Sequence, residues 1–135
     1  MLTSGKSLEL IANREICLKK YKKRSNVIEG ILMCYSGNIK SFRSIRYFKN
    51  LKYLDCSCTP LESLSGVETL TKLKILLCNV CGLKSLEPVK NLTNLEHFNF
   101  ELNYINTFIH LINLNKIQFL CCISHEKYKS LKGSR

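Results

Sequence analysis

Apolar residues return along this chain with a fixed spacing of 22. Stepping from Leu51 gives Leu73, Leu95 and Ile117, and stepping from Leu54 gives Leu76, Phe98 and Leu120. The same interval relates Cys56, Cys78, Phe100 and Cys122, then Leu61, Leu83 and Ile105. Further along the unit come Leu64/Leu86/Phe108, Val67/Val89/Leu111 and Leu70/Leu92/Leu114. Backwards, the columns continue through Leu32, Cys34, Ile39, Phe42, Ile45 and Phe48, and Glu29 is their one polar member. Chance does not sustain seven apolar columns over four units at 45% hydrophobic content, so the chain is an internal repeat.

The spacing inside a unit predicts its shape. Numbering each unit from its first column, positions 4 and 6 alternate as on a strand, which turns both side chains into the core. Positions 11, 14, 17 and 20 recur every third residue, which suits a 3₁₀-like return along the opposite side. A single unit cannot bury both rows, whereas stacked units can. The expected fold is therefore an α/β repeat: a short right-handed solenoid with a parallel concave sheet, a 3₁₀ or irregular convex side and an N-terminal capping helix.

The stretch Leu73-Lys-Ile-Leu76-Leu-Cys78-Asn-Val-Cys81-Gly-Leu83 resembles the leucine-rich-repeat signature LxxLxLxx(N/C)xL. Leu64 to Leu73 and Leu86 to Leu95 are similar to the 22-residue class found in internalins and in a phosphatase-regulating nuclear protein. The resemblance covers residues 29–123. It implies a leucine-rich-repeat solenoid that serves as a scaffold for binding proteins. The family's asparagine column reads Gly37, Thr59, Cys81 and Asn103 here. Threonine and cysteine replace part of the asparagine's bonding and glycine none, so the first unit should be the loosest.

Three segments follow: 1–28, a basic segment with the capping helix; 29–123, four full units plus a fifth strand; and 124–135, a polar basic tail. Ser7 is a candidate N-cap, and Leu8, Ile11, Ala12, Ile16 and Leu18 fall on one broad helix face. The same stretch, Ser7-Leu8-x-x-x-Ala12-x-x-x-Ile16, resembles the elongin-binding box of cullin-ligase substrate receptors, with alanine where that box has cysteine. That resemblance implies a ligase adaptor as an alternative to a plain binding module.

Charge changes the picture only at the ends. The net charge is +11, but residues 1–50 hold 11 Lys/Arg against 3 acidic residues, and residues 51–116 hold 6 against 6. A neutral centre argues against nucleic-acid binding by the solenoid as a whole. The second candidate surface is a basic patch of Lys19, Lys20, Lys22, Lys23 and Arg24 with Arg43 and Arg46, Lys40 and Lys49 extending the stripe. It offers a nucleic-acid or acidic-surface site and a nuclear address. With no apolar run near ~18 residues and no signal-type start, the expectation is a soluble cytoplasmic protein without membrane contact.

Eight cysteines raise metal and disulfide chemistry, and the register answers most of it. Cys34, Cys56, Cys78 and Cys122 share an inward column and Cys81 stands in the asparagine column, where a thiol serves as a small hydrophobe. Cys17, Cys58 and Cys121 are the expected exposed thiols. No nucleophile with a paired base, phosphate loop or metal set emerges, so neither an enzyme nor a cofactor or metal site is expected.

Binding is expected where positions 3, 5 and 7 turn away from the core onto the concave face. The candidates are Met33 and Tyr35; Tyr53 and Asp55; Ile75, Leu77 and Asn79; and His97, Asn99 and Glu101. Ile31 and Ser57 share these positions, and the fifth strand adds Phe119, Cys121 and Ile123. An apolar and aromatic surface of this kind is a protein-contact signature, for an unidentified partner or for self-association.

Overall fold

The computed structural model describes residues 31–33, 42, 45–124 and 126. Among these residues the chain winds through five three-residue strands: β1 (Ile31–Met33), β2 (Tyr53–Asp55), β3 (Ile75–Leu77), β4 (His97–Asn99) and β5 (Phe119–Cys121). They form one parallel sheet in the order β1-β2-β3-β4-β5. Each residue lies opposite the one 22 positions later: Leu54 faces Leu76, Leu76 faces Phe98, and Phe98 faces Leu120. Between strands the chain returns through short 3₁₀ turns at Ile45–Tyr47, Val67–Thr69, Glu87–Val89 and Ile109–Leu111. The capping helix expected before residue 29 and the tail from 125 lie outside the described residues, Glu126 excepted, as do Tyr35 and Gly37.

The columns read from the sequence are the core. Leu54, Leu76, Leu64, Leu86, Val67 and Val89 are all sealed from solvent, and Cys56 and Cys78 lie beneath the sheet with them. A row spaced by three meets the turn's own periodicity: Val67, Leu70 and Leu73 each donate an N–H to the carbonyl three residues back. Gly66 is fixed by space as well as by conformation. Its φ is +111°, and an added Cβ would sit 2.5 Å from the Phe42 carbonyl oxygen of the preceding unit.

Three residues past the end of β2, β3 and β4, at position 8 of the unit, stands a residue in the left-handed region: Cys58 (φ 58°), Val80 (φ 56°) and Leu102 (φ 56°). None is glycine or asparagine, and a β-branched valine is costly there. What offsets the strain is a ladder. The turned N–H of Cys58 donates to the Asn79 carbonyl (2.8 Å), that of Val80 to Glu101 (3.0 Å), and that of Leu102 to Ile123 (2.7 Å).

Beneath those turns runs the polar column. Asn103 uses its whole amide: Nδ2 donates to the carbonyls of Cys78 (2.9 Å), Phe100 (2.9 Å) and Glu101 (3.2 Å). Its Oδ1 accepts from the Cys81 (2.9 Å) and Leu83 (3.0 Å) N–H groups. Thr59 covers one of those functions, donating Oγ1 to the Cys56 carbonyl at 2.6 Å. The Cys81 thiol donates to that same carbonyl at 3.1 Å. The described members of the column thus satisfy buried backbone to a degree set by how many polar atoms each side chain has.

Leu76→Asp puts an unpaired charge at a fully sealed position, and it should abolish the cooperative melt, whereas Lys74→Ala at the exposed neighbour should cost less than about 1 kcal/mol. Equal melting midpoints for the two would refute the register. Asn103→Ala strands several buried groups and should cost more than about 3 kcal/mol in urea unfolding, against about 1 kcal/mol for Thr59→Ala.

Candidate functional site: the concave face

Strand alternation sorts each strand's side chains, and the parallel register stacks them into two rows on the face opposite the core. One row is Tyr53, Ile75, His97 and Phe119, and the other is Asp55, Leu77, Asn99 and Cys121; in β1 the matching register positions are Ile31 and Met33. From Tyr53 to Asn99 the members are half-buried rather than sealed. Phe119 is more open, and its ring stacks on His97 with centroids 4.6 Å apart and an interplanar angle of 36°. The centre of the face is therefore apolar and aromatic: Tyr53, Ile75, Leu77, His97 and Phe119. Burial and the nearby Asp55 carboxylate both push the Tyr53 hydroxyl above its ordinary value.

The polar candidates serve a second purpose. Asp55 Oδ1 accepts the Ser57 N–H at 3.0 Å, and Asn99 Oδ1 accepts the Glu101 N–H at 3.0 Å, two residues on in both cases. Ser57 is buried and donates its hydroxyl to Asn79 Oδ1 at 2.5 Å. The Asp55 and Asn99 oxygens close the turns after the strands, as Asx side chains do. Ser57, placed on the open face by alternation alone, is buried and tied to the Asn79 side chain of the next unit. The sequence signal for these turns is the spacing Asp55-x-Ser57 and Asn99-x-Glu101, an Asx residue two places before the N–H it accepts. Glu101 lies at the rim and is half-buried.

The basic patch stands apart. Arg46 and Lys49 are exposed in and just after the first 3₁₀ turn, on the convex side, while Lys19, Lys20, Lys22, Lys23, Arg24, Lys40 and Arg43 lie outside the described residues. Arg46 and Lys49 lie on the side of the solenoid opposite the concave row.

The thiols separate by depth. Cys56, Cys78 and Cys81 are buried, whereas Cys58 and Cys121 are exposed as the register requires, and Cys122 is half-buried. Burial is the main reason the Cys78 thiol is pushed well above its ordinary value, with the neighbouring Cys81 and Asp55 adding to it. Among the described residues no group of three or more His, Cys, Asp or Glu is arranged to hold a metal ion. No helix among them is long and apolar enough to cross a membrane.

No protein-family model and no curated protein matches the chain. Solved structures do. Internalin C2 of Listeria monocytogenes superposes with a TM-score of 0.69 at 22% identity, covering 70% of this chain and 42% of that one. The functional domain of InlJ from the same organism, which includes a cysteine ladder, gives 0.65 at 23% identity over 73% of this chain and 21% of its own. The internalin InlF gives 0.52 at 18% identity, over 73% of this chain and 36% of its own. The chain thus spans less than half the length of each, and what it shares with these leucine-rich-repeat proteins is the fold.

The depth of the thiols is measurable. In native protein a disulfide-exchange reagent should label Cys58 and Cys121 fast, and Cys56, Cys78 and Cys81 only at the rate of unfolding, since a thiolate must be reached to react. Fast labelling of Cys78 in peptide maps of the folded chain would contradict the inward column.

Proposed function

We propose that this chain is a non-enzymatic protein-binding module whose concave face takes a partner protein. One observation carries the proposal: Tyr53, Ile75, Leu77, His97 and Phe119 form adjoining rows of large apolar and aromatic groups at the centre of a face open to solvent. Water is a poor neighbour for such a surface, and a contiguous apolar patch on a polar protein is where partners dock. The polar atoms around it are already engaged, Asp55 and Asn99 in closing the turns after their strands and Asn79 in accepting the Ser57 hydroxyl of the preceding unit, so the face keeps its shape without a ligand. A rigid patch loses little conformational freedom on binding.

The internalin neighbours support this reading only as carriers of the same scaffold. The adaptor-like Ser7–Ile16 box and the Lys19–Arg24 run fall outside the described residues and lend neither alternative structural support.

Aromatic and large aliphatic groups at a patch centre commonly carry about 2 kcal/mol or more of binding each. With the chain as bait, the combined Tyr53→Ala and Leu77→Ser variant should lose its captured partner while keeping the circular-dichroism spectrum of the parent. Arg46→Glu with Lys49→Glu should capture that partner as before. The reverse pattern, together with a steep loss of binding as salt is raised, would move the site to the convex basic patch and to an anionic partner.

A further inference from the structure

The final unit departs from the ones before it, column by column. Leu64 and Leu86 are 0% exposed, and Phe108 in the same column is 48% exposed. Leu54 and Leu76 are 0% exposed, and Leu120 is 40% exposed. Each inner unit is sealed by the next, and among the described residues no strand lies beyond β5.

An ending stack accounts for those two columns but not for a third feature. On the outer side of the 3₁₀ turns, positions 15 and 18 are Ser65 and Glu68, then Glu87 and Lys90, and in the last unit Ile109 and Ile112. These isoleucines are 57% and 67% exposed, where packing of the scaffold asks for no apolar group. The apolar surface therefore runs from the open end onto the convex rim. With Phe119 and Ile123 it amounts to roughly 600 Å² per chain, taking about 150–200 Å² for a large side chain, close to the ~800 Å² each partner contributes to a standard interface.

The end has no charge pattern for a charged partner to read. From Leu102 to Ser124 the single full charge is Lys116, and it reaches back to Asn94 Oδ1 at 3.0 Å. The sequence that follows, 125–135, offers Tyr128 and Leu131 among polar residues. The strand edge, in contrast, is self-complementary. In β2 the Lys52 carbonyl and the Cys56 N–H point outward to the next strand. Their counterparts at β5 belong to Gln118 and Cys122, with Leu120 midway between. A two-fold axis at Leu120 sets Gln118 against Cys122 of a second copy and Leu120 against itself, so outward donors meet outward acceptors.

We propose that a second copy of this chain closes this end, β5 pairing antiparallel with β5 about a two-fold axis at Leu120 and joining the two five-stranded sheets into one. Such a contact uses the same patch on both copies and closes on itself.

Sedimentation equilibrium of the 135-residue chain should show a dimer. Leu120→Lys blocks the edge, and Ile112→Lys charges the rim at a site too exposed to disturb folding. Each should weaken dimerisation by at least about tenfold with the circular-dichroism spectrum unchanged. Leu120→Cys, with Cys121→Ser and Cys122→Ser, should cross-link to a covalent dimer under mild diamide oxidation, because facing residues of an antiparallel pair are ~5 Å apart. Tyr53→Ala with Leu77→Ser should leave the dimer intact, so failure of the concave site and failure of this interface are told apart. A monomer at every concentration, a dimer indifferent to both lysine variants, or a dimer in which Leu120→Cys does not cross-link would overturn the proposal. The last result would point to head-to-tail stacking instead.

Discussion

A unit of 22 residues is too thin to enclose a core, and that constraint shapes everything else in this molecule. Its strand is three residues long and its return is one turn of 3₁₀ helix, so both apolar rows stay open until another unit is laid against them. The parallel register is the means: Leu54 on Leu76 on Phe98 keeps like over like, and each layer's exposed flank becomes the next layer's floor. The strained position-8 turns at Cys58, Val80 and Leu102 belong to the same logic. They aim an N–H at the following unit and would be needless cost in an isolated one.

Most of that logic is legible in the sequence because it is periodic. The seven columns locate the core between Leu51 and Leu95 without exception, and the spacing of three foretells the 3₁₀ turns at Val67–Thr69 and Glu87–Val89. What a period does not contain is position within the stack. Phe108 and Leu120 match their columns as well as Leu64 and Leu54 do, yet they are half open, because burial is conferred by a neighbour and not by the residue. The left-handed residues carry no signal either, since cysteine, valine and leucine announce no turn. The concave rows were legible by alternation. The service of Asp55 and Asn99 within the turns, and of Asn79 to Ser57, was not, because alternation says where a side chain points and not what it bonds.

The polar column shows how far a scaffold tolerates substitution. Asn103 serves five backbone groups, while Thr59 and Cys81 share the Cys56 carbonyl between them. A threonine has one donor to give and a thiol a weak one, so among the described members the column is strongest at Asn103. Rigidity of the sheet should peak there too, with the firmest backbone under His97 and Asn99. That is the part of the concave face where the aromatic groups gather.

Phe119 lies where the two surfaces meet. Its ring stacks on His97 in the concave row, and its strand forms the open edge of the sheet. In a two-fold pairing through β5 it would sit at the seam, with the concave rows of both copies running toward each other across it. A partner long enough to touch both rows would bind the dimer more tightly than the single chain, and by mass action would stabilise the pairing it depends on. A partner confined to Tyr53 and Leu77 would bind both forms alike. The reach of the bound segment, more than its chemistry, would then decide whether recognition on the concave face is linked to assembly at its end.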